Sequence, residues 1–103
     1  MIYVISTIAL KEGRRDDYLR QLCAILPTIY AEEGCLEYCP TIDIDTGSRF
    51  QKTCRSDMVI IQEKWESLNA LKSHGLSPHM TDFRHRIKPL VQSMELQVLS
   101  PVA

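Results

Sequence analysis

Residues 2–10 constrain the fold most. They carry apolar side chains on both alternating sets, with Ile2, Val4, Ile8 and Leu10 on one and Tyr3, Ile5 and Ala9 on the other. Successive side chains of a strand point to opposite faces, so a strand apolar on both sets expects cover on both faces of its sheet. One layer of helices covers one face only. The other face also reads as apolar, and left wet it would be a larger patch than soluble monomers usually expose. The pattern therefore predicts a sheet with helices on one side and a second copy of the chain on the other, a homodimer.

The rest of the chain supplies the helices and three more strands. Residues 11–13 break the apolar pattern. Over residues 14–33, Tyr18, Leu19, Leu22, Cys23, Ile25, Leu26, Ile29 and Tyr30 recur at spacings of three and four, which predicts an amphipathic helix closed at Gly34. Pro27 lies inside it and is expected to kink or divide it. Residues 35–44 read as a second strand with Leu36, Tyr38, Ile42 and Ile44 on one face, and Pro40 marks an edge, bulge or bend. The connection 45–56 begins with a turn signal and is longer than a tight hairpin needs, as expected of a lid, an arm or a partner contact. Residues 57–65 form a third strand, with Val59, Ile61, Glu63 and Trp65 on one face. Ser67 caps a helix running to about His74. Pro78 starts another over residues 78–88, ended by Pro89. Residues 94–99 alternate and close the chain.

The order βαββαβ, without repeat or linker, predicts one domain over 1–103. Its class is α+β, a ferredoxin-like fold with a four-stranded antiparallel sheet and helices on one face. At 103 residues folding buries somewhat over ~60% of the unfolded chain's surface, so one modest core is expected.

Composition narrows the function classes. Apolar residues make up 45% and charged residues 24% of the chain, too apolar for a disordered segment. A formal net charge of −1 with interspersed signs leaves no basic face for phosphates, so no nucleic-acid partner is expected. No apolar run approaches the ~20 residues of a membrane span, and the N-terminus carries no basic leader, so the expected location is cytoplasmic, with no membrane. Cys35 and Cys39, four apart on a strand, lie ~13 Å apart and cannot pair with each other. The expectation for Cys23, Cys35, Cys39 and Cys54 is reduced, mostly packed thiols.

The candidates for chemistry are few. His74 and His79 are the first candidates, because imidazole as a side-chain type suits general acid and base work near neutral pH. Glu63 shares a face with Trp65; buried, it must be paired or protonated, and it is then placed to orient His74 or to act as a second acid or base. Trp65, Tyr38 and Phe83 are candidates to wall a site for a flat ring. Each has a plainer reading: a helix-end or capping residue for the histidines, a surface ion pair for Glu63, packing for Trp65 and Tyr38. His85 is expected to be exposed. His74, His79 and His85 are five and six residues apart, which does not place all three on one helical face, so no metal site is expected.

Three stretches resemble the antibiotic biosynthesis monooxygenase (ABM) family: Glu32-Glu33-Gly34-Cys35-Leu36-Glu37-Tyr38, Glu63-Lys64-Trp65-Glu66-Ser67, and Ala70-Leu71-Lys72-Ser73-His74 followed by Ser77-Pro78-His79. The resemblance implies a dimeric α+β barrel in which two sheets pack face to face, with a pocket between sheet and helices in each subunit. It also implies a quinol-monooxygenase-like activity without cofactor, taking a small-molecule aromatic substrate, a quinol or polycyclic phenol, and O2. Proteins of similar fold degrade haem or isomerise small oxygenated metabolites, and a non-catalytic ligand-binding dimer using the 45–56 arm is a further alternative. The long 45–56 connection and the cysteines depart from the family pattern.

Overall fold

The computed structural model describes residues 1–103. In chain order the elements are β1 (Ile2–Leu10), α1 (Arg15–Tyr30), β2 (Cys35–Thr41), β3 (Met58–Trp65), α2 (Leu68–Leu76), α3 (Pro78–Ile87) and β4 (Val91–Leu99), with a single 3₁₀ turn at Lys88–Leu90. The strands form one antiparallel sheet in the order β2-β3-β1-β4. This is the ferredoxin-like α+β arrangement expected from the element order.

Strand pairing sets which side chains face the helices. Ile2, Val4, Ser6 and Ile8 of β1 stand opposite Trp65, Glu63, Ile61 and Val59 of β3, and Tyr38 of β2 stands opposite Glu63. Residues directly opposite in an antiparallel pair share a face. This face meets Tyr18, Leu22 and Ile29 of α1 and Met80 and Phe83 of α3, and together they make the core.

The opposite face corrects one expectation. Tyr3, Ile5, Ala9, Met58 and Ile60 are apolar there, but the register surrounds them with Gln62, Lys64, Glu37, Glu95 and Gln97. The face is mixed, because polar and charged residues of β2, β3 and β4 stand among the apolar ones. Exposed apolar surface instead lies on the helix side of β4, where Met94, Leu96 and Val98 are 59%, 54% and 46% exposed. The helices stop short of that edge of the sheet.

Several boundaries also differ. α1 runs unbroken through Pro27; proline withholds a donor from the carbonyl four residues back, and that residue, Cys23, is exposed. The helix closes at Ala31 rather than Gly34, through hydrogen bonds from the Ala31 and Glu32 amides to the carbonyls of Pro27 and Ile29. Gly34 has a different task. Its φ is +81°, and a Cβ there would stand 2.5 Å from the Ala70 Cβ, while its carbonyl accepts from the Glu66 amide at 2.8 Å. The turn after α1 is thereby seated against the start of α2, which only glycine permits.

β2 ends at Thr41 instead of residue 44, and a register shift between Cys35 and Glu37 turns Leu36 outward. Ile42 and Ile44 are exposed in the connection that follows. That connection is clasped at its base, where the Arg55 guanidinium donates to both Asp43 carboxylate oxygens at 2.9 and 3.2 Å and the Arg55 amide donates at 2.9 Å. The ion pair holds the Asp43 carboxyl below its ordinary range. Phe50 stands at the tip, 86% exposed. All four cysteines are free thiols; Cys23, Cys39 and Cys54 are exposed, so the expectation of packed thiols fails for three of them.

Candidate active site

Between the helix-facing side of the sheet and the α2–α3 pair lies a cavity of about 500 Å³. Its walls are mainly apolar, with Ile8, Ile61, Leu71, Met80, Phe83 and Leu96 among them. Polar groups enter at a few points: Ser6 of β1, Tyr18 of α1, Tyr38 of β2, Glu63 of β3 and His74 of α2, with Arg84 and Lys88 also on the lining. A mostly apolar hollow with few convergent polar groups is the ordinary form of a small-molecule site.

The break between α2 and α3 organises the outer part of the site. Ser77 precedes Pro78 and is extended (φ −65°, ψ 146°), as expected where proline disfavours the helical region for its predecessor. Its hydroxyl caps α3 by accepting from the Met80 amide at 3.4 Å, and it donates to the His74 carbonyl at 2.8 Å. One helix thus ends at Leu76 and the next begins at Pro78, with His74 in the last turn of the first and His79 in the first turn of the second.

Glu32 sits between them. One of its carboxylate oxygens, Oε2, lies 2.8 Å from His74 Nδ1 and 3.1 Å from His79 Nε2. His79 Nε2 also lies 3.2 Å from the Ser77 hydroxyl. A carboxylate oxygen only accepts, so the neutral His74 ring carries its proton on Nδ1 and keeps the Nε2 lone pair. Nε2 has no hydrogen-bond partner within the protein, and His74 lines the cavity.

Glu63 is placed differently from the expectation. It makes no hydrogen bond to His74; it accepts from Trp65 Nε1 at 2.9 Å and from the Ser6 hydroxyl at 3.2 Å. Burial raises its pKa above the ordinary carboxylate value, against the lowering effects of Trp65, the neighbouring His74 charge and Ser6. Burial, with the nearby Glu63 charge second, also pushes the phenols of Tyr18 and Tyr38 well above their ordinary value, so both stay protonated.

Of the six residues singled out from the sequence, four line the cavity: His74, Glu63, Tyr38 and Phe83. Trp65 does not. It is fully buried and stacks beneath His74, ring centroids 4.6 Å apart, so it supports the imidazole and cannot touch a flat ring in the cavity. His79 also lies outside, on a surface depression shared with Glu32, Ser73 and Ser77. Sequence reading missed Glu32, Ser6 and Tyr18. Ser6 had a signal, a short polar residue on the inward set of an apolar strand. Glu32 had only its place before a glycine turn, and Tyr18 was indistinguishable from the packing residues of α1.

The fold and site together define a small α+β protein with a ligand-sized cavity beside a positioned imidazole. The sequence profile of the antibiotic biosynthesis monooxygenase family matches residues 1–86, and the chain belongs to this family. It is 36% identical over 103 residues to a protein of Escherichia coli K12 named "Probable quinol monooxygenase YgiN", covering 98% of each chain. Among solved structures, PA3566 of Pseudomonas aeruginosa superposes with a TM-score of 0.81 at 26% identity, over 99% of this chain and 94% of that one. Rv0793 of Mycobacterium tuberculosis gives 0.81 at 23%, over 99% and 95%. No helix is long and apolar enough to cross a membrane.

Proposed function

We propose that this chain is a cofactor-independent monooxygenase or oxidase that uses O2 to oxidise a quinol or polycyclic phenol bound in the 500 Å³ cavity. The observation that carries the reading is His74. Its Nε2 is left without a partner, among apolar and aromatic walls, on a ring aligned by Glu32 and backed by Trp65. Such an imidazole accepts a phenolic proton, and Glu32 stabilises the imidazolium that results. The substrate anion then passes an electron to oxygen. The protonated phenols of Tyr18 and Tyr38 donate hydrogen bonds to the anion's oxygen, while the apolar walls exclude bulk water. The name given to the YgiN relative supports the quinol class.

Glu63 has a supporting role, holding Ser6 and Trp65 and, when protonated, serving as a second acid in the cavity. Because it shares the cavity with His74, the same pair also suits proton transfer without oxygen, which keeps an isomerase of a small oxygenated metabolite as the second reading. Haem degradation and non-catalytic ligand binding have no feature of the cavity in their favour over these two.

The substrate enters past the β4 edge in this proposal, where Met94 and Leu96 line the cavity. A second copy packed beside these exposed side chains forms the homodimer and borders the mouth.

The test is oxygen consumption by metal-stripped protein against quinols and polycyclic phenols, corrected for spontaneous oxidation. Saturable uptake is expected. Turnover that persists without oxygen, with solvent hydrogen entering the product, would favour the isomerase instead.

A further inference from the structure

His79 takes no part in the cavity, yet it is drawn to the same carboxylate oxygen as His74. Glu32, His74 and His79 each offer one ligand atom, and these atoms all lie within 4.8 Å of one another. Two of the three separations are 2.8 and 3.1 Å. A tetrahedral ion with bonds of about 2.0–2.1 Å holds its ligand atoms about 3.3 Å apart, so side-chain shifts of less than an ångström make room for one. The three come from different places, the turn after α1, the end of α2 and the start of α3, and the proline break holds the two histidines at this spacing. Glu32 and His79 lie on the depression lined by Ser73 and Ser77.

We propose that Glu32, His74 and His79 form a binding site for a divalent transition metal of the Zn²⁺ class, and that occupation of this site switches off His74 as a base. Two imidazoles and one carboxylate suit Zn²⁺, Co²⁺ or Ni²⁺ rather than Mg²⁺ or Ca²⁺, which prefer all-oxygen sites. The switch follows from the nitrogen used. With Nδ1 hydrogen-bonded to Glu32, the neutral ring keeps the Nε2 lone pair facing the substrate. A metal on Nδ1 takes the Nδ1 lone pair, so the ring's single hydrogen moves to Nε2. No proton is lost, but the ring can no longer accept one from a phenol. The metal here is an inhibitor bound behind the catalytic ring, outside the cavity, and not a cofactor within it. The inhibitory half rests on the proposed role of His74, whereas the binding half does not.

The experiment is a titration of ¹⁵N-histidine-labelled, metal-stripped protein with Zn²⁺, reading the ring nitrogens directly so that exposed thiols do not enter the signal. At one equivalent, His74 Nδ1 and His79 Nε2 are expected to take metal-bound shifts, and His74 Nε2 the shift of a protonated nitrogen, with His85 unchanged. Read by the same ring-nitrogen shifts, His79→Ala and Glu32→Gln should show at least a hundredfold loss of affinity, while His85→Ala binds as the parent does. Unchanged His74 and His79 signals at one equivalent, or undiminished affinity in either ligand variant, overturn the site. Oxygen uptake with a quinol is then expected to stop at one equivalent of Zn²⁺ and to return on chelation; uptake that continues at full rate with the site filled overturns the switch. If no quinol turns over at all, the proposed function fails, and the ring-nitrogen shifts still decide the metal site.

Discussion

Two carboxylates flank His74 and illustrate how surroundings assign roles to the same side chain. Glu63, on the cavity side, is buried among apolar residues, meets only an indole N–H and a hydroxyl, and is pushed toward its neutral form. Glu32, on the outer side, has one oxygen between two imidazoles at the edge of an open depression. Desolvation governs the first, while the second is placed by its contacts with the two ring nitrogens. The difference gives His74 a direction: its protonated nitrogen looks outward to Glu32, and its basic nitrogen remains for the cavity.

The largest test of this two-sided arrangement removes its centre. His74→Ala is expected to lower turnover of a quinol substrate about 10²- to 10⁴-fold, the usual range for a lost general base, with the fold retained by circular dichroism. Full activity would mean that the two sides do not meet in the chemistry. Next comes the support under the ring. Trp65→Ala opens a cavity in the core and should cost about 3–5 kcal/mol of stability, measured from the denaturant midpoint; a cost below about 1 kcal/mol would show that the inner wall does not depend on it.

Smaller effects separate the two carboxylates. Glu32→Gln weakens a charge-assisted hydrogen bond of about 1.5–3 kcal/mol, which corresponds to a fall of about 10- to 100-fold in kcat with the cavity intact and KM little changed. An equal loss in KM and none in kcat would make Glu32 a binding group instead. The smallest expected effect is on the pH dependence of stability at Glu63. Its folded pKa is raised, so the folded state holds a proton that the unfolded state releases first. Stability from this group is present at low pH and falls as pH rises from the ordinary carboxylate value through the raised one. Glu63→Gln should remove that fall, gaining on the parent in thermal melts as pH increases. A parent curve rising with pH through that window, with Gln running parallel to it, would show that Glu63 is not held up by burial.

Much of this architecture was legible in the sequence. The alternation of β1, the three- and four-residue spacing of α1, the Ser67 cap and the Pro78 start of α3 are local signals, and each produced its element within a few residues. The α1 end was misplaced because Gly34 looked like a helix terminator; its actual constraint, the approach of Ala70, comes from residues far away in the chain. The far face of the sheet was misjudged for a related reason. Alternation within β1 alone could not show that the neighbouring strands would place Gln62, Lys64, Glu95 and Gln97 around it.

The site divides along the same line. The sequence by itself determined the ferredoxin-like fold and the family, and it singled out His74, Glu63, Tyr38 and Phe83 as candidates, because periodicity and motif order are properties of neighbouring residues. Only the tertiary structure decided that Glu63 turns to Trp65 and Ser6, that Trp65 lies under His74 instead of against a ligand, and that Glu32 joins His74 to His79. The Ser6–Glu63 and Glu32–His74 contacts span 57 and 42 residues, and hydrogen bonds across such separations are set by strand register and helix packing, which no local pattern encodes.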